Sequence, residues 1–308
     1  MLKSIAFAQN FGFNLDLNSL KNHQIRLNAT YRKLTILDTQ LISIKPDNNL
    51  LGRLEYTPKL LNGFIQGNLF YELGYGLEQK REYAFVQVAS GQGQYYWIDY
   101  NKNGIKELNE FEIAQYADQA SFIKIFTPSN NYIKTVHHQF SGSMNLRPAV
   151  FKKSDSGKLI DFISRWATQS VYRRDSKFND DNTNEFINPL NLLRSDTIII
   201  SDNSMLRQSV FFNQSSSLGG MDYTFQENKN KQLLINGPET KKMQQHEIRT
   251  RINFTKTIFF FTSAVSGIKE SFAPFFLNRN FSIQYMELEP KITYQPSTSF
   301  RASIGYKR

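Results

Sequence analysis

Alternation with period two runs through most of this chain, and no other feature limits its fold as tightly. Between 65 and 78, Ile65, Gly67, Leu69, Tyr71, Leu73, Tyr75 and Leu77 fall on one set of positions, and Gln66, Asn68, Glu72, Gly74, Gly76 and Glu78 on the other, with Phe70 the one apolar intruder. Successive side chains of a strand point to opposite faces, so this split describes one long strand with an apolar and a polar face. The same split recurs at 11–17, 25–32, 136–147, 162–172, 206–212, 221–225, 248–254, 258–266, 281–288 and 300–306. With 50–56 this makes about twelve strands, and helical period is almost absent.

Strand length then chooses a solvent. Several of these segments run to about 10–14 residues, against a usual 5 or 6 in soluble sheets. About 9–11 tilted residues cross a bilayer, and a barrel in lipid needs one apolar face with every backbone group paired. The connectors give a second test. They run short at 18–22, long at 37–49, short at 59–63, very long at 79–132, moderate at 148–158, long at 174–204, short at 215–220, long at 228–245, tight near Lys256, longer at 267–278 and tight at 295–299. Short periplasmic turns alternating with long external loops are the habit of outer-membrane barrels. The expected fold is therefore an all-β, antiparallel transmembrane β-barrel segment over 1–308, with 79–132 as a long external insertion. On this assignment the first strand begins and the last strand ends outside, so the segment is expected to be part of a larger barrel whose flanking strands are its partners. The alternative is a soluble or surface-tethered calcium-binding β-sandwich adhesin, with strands of about six residues in two layers.

Composition excludes other classes. With no Cys and only 4 His, the chain has no disulfide framework, thiolate zinc site or cysteine nucleophile. No apolar run reaches the 18 or so residues of a transmembrane helix, and the apolar start is broken by Gln9 and Asn10 before it makes a signal peptide. The 37 Lys+Arg against 27 Asp+Glu give a formal +10, which first suggests nucleic acid. That reading fails because the charge is dispersed over alternate strand positions. Arg26, Arg32, Arg53, Arg147, Arg165, Arg173, Arg249 and Arg251 fall on inward faces, where they either favour anionic solutes or form an ion-pair ladder with Glu55, Glu72, Asp161 and Glu247. His137 and His138 are consecutive on a strand and so point to opposite faces. The Gly-Gln-Gly-Gln run at 91–94 lacks the Lys-Ser/Thr of a phosphate loop and reads as a turn before a strand. No serine has a nucleophile-elbow frame, and no enzymatic centre is expected.

One motif carries chemistry. Asp99, Asn101, Asn103, Gly104 and Glu110 fit D-x-[DN]-x-[DN]-G followed by five residues and Glu. Calcium wants six to eight oxygens; Asp99, Asn101 and Asn103 supply side-chain oxygens, Ile105 its carbonyl, Glu107 a direct or water-mediated contact, and Glu110 a bidentate closure. Gly104 permits the sharp turn. The expected site is 99–110, holding one structural Ca2+, with Trp97 and Phe111 packed beneath. The bland reading is an Asn/Gly turn with solvated acids. A strand-like QYYWIDY precedes the loop, so it differs from a helix–loop–helix hand. It is similar to the calcium loops of bacterial surface adhesins and, more loosely, to dockerin loops.

Around this loop, Gln79-Lys80-Arg81-Glu82-Tyr83, Gly91-Gln92-Gly93-Gln94-Tyr95-Tyr96-Trp97, Glu110-Phe111-Glu112, Asp118-Gln119-Ala120 and Phe126-Thr127-Pro128 form a distinctive block. The block resembles one found in large, uncharacterised outer-membrane or cell-surface β-barrel proteins of Bacteroidota. Strand length, alternation and connector rhythm give transport, secretion or surface display as the expected role, with a lipid bilayer and outer-membrane or secretion components as partners. The resemblance implies the outer membrane or surface of a Gram-negative bacterium and the barrel fold. It implies no reaction.

Overall fold

Twelve strands, each hydrogen-bonded to its neighbour along the chain, make up one antiparallel sheet in the computed structural model, which describes residues 5–38, 46–79, 82–127, 131–153, 157–179, 199–235 and 237–308. In chain order they are β1 (Ala6–Leu17), β2 (His23–Ile36), β3 (Asp47–Leu60), β4 (Ile65–Gln79), β9 (Tyr132–Leu146), β10 (Trp166–Asn179), β11 (Ile199–Phe212), β12 (Gly219–Leu234), β13 (Gly237–Asn253), β14 (Ile258–Phe272), β15 (Phe281–Tyr294) and β16 (Ala302–Gly305). A separate four-stranded sheet, β5 (Glu82–Gln87), β6 (Tyr95–Trp97), β7 (Phe111–Ile113) and β8 (Phe122–Thr127), is inserted between β4 and β9. The chain is all-β, and the large sheet has the up-and-down order of a barrel wall. Among the described residues β1 pairs with β2 alone and β16 with β15 alone, so the order does not close.

Apart from β16, the wall strands run 12 to 17 residues. β4 is one continuous strand of 15 residues. Six-residue strands in a two-layer stack, the alternative arrangement, do not describe this wall. Its registers place the apolar sets on one shared face: Leu15 opposite Leu27, Leu27 opposite Leu54, and Leu54 opposite Tyr71. Farther along the sheet, Tyr223 faces Ile248, Ile248 faces Ala264 and Ala264 faces Leu288. The other face carries the polar set, including the ion-pair ladder. Arg26 meets Asp16 and Glu55 at 3.6 and 3.3 Å, Arg53 meets Glu55 and Glu72 at 3.6 and 3.5 Å, and Arg249 meets Glu247 at 2.9 Å. Asp161 lies off this ladder, 3.2 Å from Lys152.

Several boundaries differ from the sequence reading, among them the following three. The segment expected as a strand from 162 begins instead with a helix, α1 (Lys158–Ile163), and β10 starts at Trp166. Leu159 and Phe162, and Ile160 and Ile163, are three residues apart, which is a helical spacing, and Phe162 still joins the wall by packing on Trp166 and Phe212. The expected long connector 228–245 is strand almost throughout, because β12 and β13 stay paired up to Leu234 and Gly237. The expected connector 174–204 likewise shrinks from both sides, to Asn179 and Ile199, and 180–198 lie outside the described residues. These strand ends have polar side chains on both faces, so they show no amphipathic alternation. Cross-strand pairs support them instead: Lys242 to Glu227 at 3.5 Å and the buried Arg174 to Asp202 at 2.8 and 2.9 Å, with Ser176 Oγ donating to Asp202 at 2.5 Å.

The antiparallel order puts the connectors at 18–22, 61–64, 147–165, 213–218, 254–257 and 295–301 at one end of the wall. Aromatic clusters sit along that end: Phe64 with Phe151, Trp166 with Phe212, Phe254 with Phe260 and Tyr294 with Phe300, at ring separations of 5.0, 4.9, 6.3 and 6.4 Å. The insertion springs from the opposite end. Its aromatic core of Tyr95 and Phe122, flanked by Phe85, Trp97 and Phe111, packs against Ala273 and Phe276 in the β14–β15 connector. In the sheet order six strand steps separate β4 from β14. The insertion therefore reaches across the wall to dock on the far side of the same end.

Candidate functional site

The candidate site is the β6–β7 connection within the insertion, and its floor is aromatic. Phe85 stacks on Phe111 at 4.0 Å, Phe111 lies 5.1 Å from Phe122, and Phe85 lies 5.0 Å from Tyr95. Gly93 lets the chain cross this floor: a Cβ there would lie 2.6 Å from the Phe122 backbone nitrogen. The Gly91–Gln94 run is a turn before β6, as its sequence suggests. A strand precedes the loop and a single 3-10 turn (Leu108–Glu110) followed by β7 closes it, so the flanks are not helices. Where a helical hand carries an apolar residue, Lys106 holds its ammonium 4.8 Å above the Phe122 ring. Cation–π attraction replaces hydrophobic packing there.

The loop residues converge on one another. Asp99 receives the backbone N–H of Asn103 on Oδ1 at 3.1 Å and that of Gly104 on Oδ2 at 2.8 Å. Asn101 Oδ1 accepts from the Asn103 backbone at 3.0 Å, and Asn103 Oδ1 from the Ile105 backbone at 2.6 Å. The side-chain amides of Asn101 and Asn103 both donate to the Glu107 carboxylate at 3.3 Å. Lys102 and Gly104 have φ of 59° and 70°, the left-handed conformations that wrap the chain around these oxygens. Ile105 contributes main chain to the loop, and its side chain is exposed.

Glu110 is the unusual member. It is 1 % exposed, and its Oε2 accepts from Trp97 Nε1 at 2.9 Å and from the Glu107 backbone at 3.2 Å. Its Oε1 is buried with no hydrogen-bond partner among the described residues. A buried carboxylate oxygen without a partner is costly, and a cation is one way of satisfying it. Among the described residues no three His, Asp or Glu side chains gather closely enough to hold a metal by themselves. A cation here would depend on the amide and main-chain oxygens of Asn101, Asn103 and Ile105 as well as on Asp99, Glu107 and Glu110.

Sequence reasoning missed the tyrosines beside the loop. Glu112 accepts from Tyr96 at 2.8 Å and also from Tyr100. The Tyr100 bond, then the Tyr96 bond, hold the Glu112 carboxyl below the usual carboxylate range, and both tyrosines are raised in turn. Tyr96 and Glu112 are cross-strand partners in the β6–β7 ladder, a register that only the folded pair reveals. His137 and His138 do point to opposite faces: His137 sits 3.1 Å from Asp175, and the buried His138 stacks on Phe178.

No family model and no curated protein matches the sequence. Among solved structures the chain is similar to the ferric-catecholate import receptor Fiu of E. coli K12 in its closed form, with 8% identity and a TM-score of 0.38, over 98% of this chain and 49% of that one. The chain spans about half the length of that receptor.

Proposed function

We propose that this chain is part of the wall of an outer-membrane β-barrel at the surface of a Gram-negative bacterium, serving transport, secretion or surface display, with its insertion held outward and ordered by calcium. The observation that carries the membrane reading is the shared apolar face. Phe11, Phe13, Ile248, Met286, Leu288 and Ile292 project from it with 44 to 73 % of their surface exposed. Water penalises so large an apolar patch, whereas lipid is its natural solvent. Strands of 14 residues span about 46 Å, enough to cross the hydrocarbon when tilted. The aromatic clusters along the short-connector end fit an interfacial girdle. Among the described residues the outer edges of β1 and β16 are unpaired, and lipid satisfies no backbone group, so a wall in lipid needs both edges covered by strands. Membrane fractionation tests this: the full-length protein should co-sediment with outer membranes and migrate differently on gels before and after heating. Recovery as a soluble protein without that shift would overturn it.

The calcium reading rests on the partnerless Glu110 Oε1. Calcium would be bound by Asp99, Asn101, Asn103, Glu107 and Glu110 with the Ile105 carbonyl, at an affinity of about 10⁻⁴–10⁻³ M, typical of extracellular modules. Its role is structural, because an ion that binds only the ordered loop stabilises that loop by mass action. Calorimetry should show millimolar-range calcium binding that Glu110→Gln abolishes, and chelation should open 91–120 to proteolysis. No heat of binding, or proteolysis indifferent to chelator, would reduce the site to an Asn/Gly turn.

A further inference from the structure

On the polar face of the wall, near the end where the insertion docks, a cleft of about 560 Å³ crosses six strands, β10 to β15. The registers resolve it into two adjacent rows. One reads Arg173, Met205, Asn228, Met243 and Lys269 from β10 to β14. The next reads Asp175, Asn203, Asn230 and Lys241, and ends at Phe281 on β15. Four strand spacings separate Arg173 from Lys269, about 19 Å along the sheet.

The charge balance here differs from the rest of the face. Arg26, Arg53 and Arg249 each lie within 3.6 Å of a carboxylate. Arg173 has no ion-pair partner among the described residues, and Lys269 lies against the Tyr285 ring at 4.8 Å. The acid of the cleft on this face, Asp175, is engaged by His137 at 3.1 Å, and Lys241 is already paired with Glu239 at 2.9 Å. Two cations thus stand uncompensated at opposite ends of a concave strip, where low-dielectric walls focus their field on an anion. Between them lie amides and apolar surface. Asn230 donates to Asn203, which leaves the Asn203 amide N–H groups, the Asn230 carbonyl and both ends of Asn228 to meet hydroxyls, while Met205, Met243 and Phe281 offer contact to carbon.

We infer that this strip binds an extended acidic oligosaccharide, one of whose acidic groups reaches each end of the strip with hydroxyl-bearing rings between. Arg173 takes one carboxylate or sulfate as a two-pronged donor, and Lys269 takes the other as a point charge. The inference uses neither the calcium site nor the bilayer, so it stands or falls apart from them. The test is calorimetric titration of the full-length protein in detergent with an oligogalacturonate hexamer, and with a neutral maltohexaose as control. The acidic hexamer should bind and the neutral one should not. Arg173→Gln and Lys269→Gln should each weaken binding about tenfold, and added salt should weaken it further. Lys291→Gln, on the same face near the opposite end, should leave it unchanged. Circular dichroism and heat-shifted migration identical to wild type would show that the variants fold. Failure of the hexamer to bind, equal binding of the neutral sugar, or an equal loss in Lys291→Gln would each overturn the inference.

Discussion

The wall and the insertion are both antiparallel sheet, yet they place their apolar side chains in opposite ways. In the insertion, Tyr95 and Phe122 are buried at 7 and 6 % exposure, and the charged and amide groups of 99–107 face outward around them. In the wall, Phe11 and Met286 are exposed at 60 and 73 %, and the Arg26–Glu55 and Arg249–Glu247 pairs line the other face. The same secondary structure thus has its apolar side turned in one region toward its own core and in the other away from it. Alternation fixes that a strand has two faces, and the surroundings decide which one is outside.

The largest effect that would sharpen the contrast is Phe122→Ala. Removing the centre of a small aromatic core should cost the insertion about 3–5 kcal/mol. Proteolysis should then cut within 82–127 while the heat-shifted migration of the wall stays intact; simultaneous loss of both would mean that the two regions fold as one unit. Next in size is Ile248→Arg, at an exposed site on the apolar face between Tyr223 and Ala264. In lipid, a charge near the midplane should cost about 2–4 kcal/mol, whereas an exposed site in water would register within about 0.5 kcal/mol. Denaturant titration of protein folded into vesicles measures the difference, and a neutral result would break the comparison at its root.

The smallest effect belongs to pH and the insertion. Glu112 is held below its ordinary range by Tyr100 and Tyr96, so its contribution is present above the unfolded carboxylate pKa and is lost as pH falls through the lower folded value. Trp97 fluorescence should report a slight loosening below the usual carboxylate range. Glu112→Gln should remove that acid step and leave the wall's response to acid unchanged.

Where both kinds of surface met the chain, its sequence was legible. Alternation marks part of each of the twelve wall strands, though only one end of β12 and of β13, and it also gives the continuity of β4, the opposite faces of His137 and His138, and the turn before β6. The convergence of Asp99, Asn101, Asn103, Glu107 and Glu110 in one hydrogen-bonded loop was legible too, since they lie on one local stretch. The polar ends of β10 to β13 were not, because polar side chains on both faces leave no period to read, whether they are exposed or, like Arg174 and Ser176, buried. Their extension rests on the ladder and on pairs such as Arg174–Asp202, which join residues 28 positions apart.

The sequence by itself determined which residues share a face and which stretch turns back on its own Asp, Asn and Glu side chains, because both depend on spacing along a few neighbouring residues. Only the tertiary structure decided that the insertion docks on Phe276, that the Glu110 carboxylate is buried with one oxygen unpaired, and that Arg173 and Lys269 end a common row. Those facts depend on register and burial, which are set by strands far apart in the chain and leave no local trace in either partner alone.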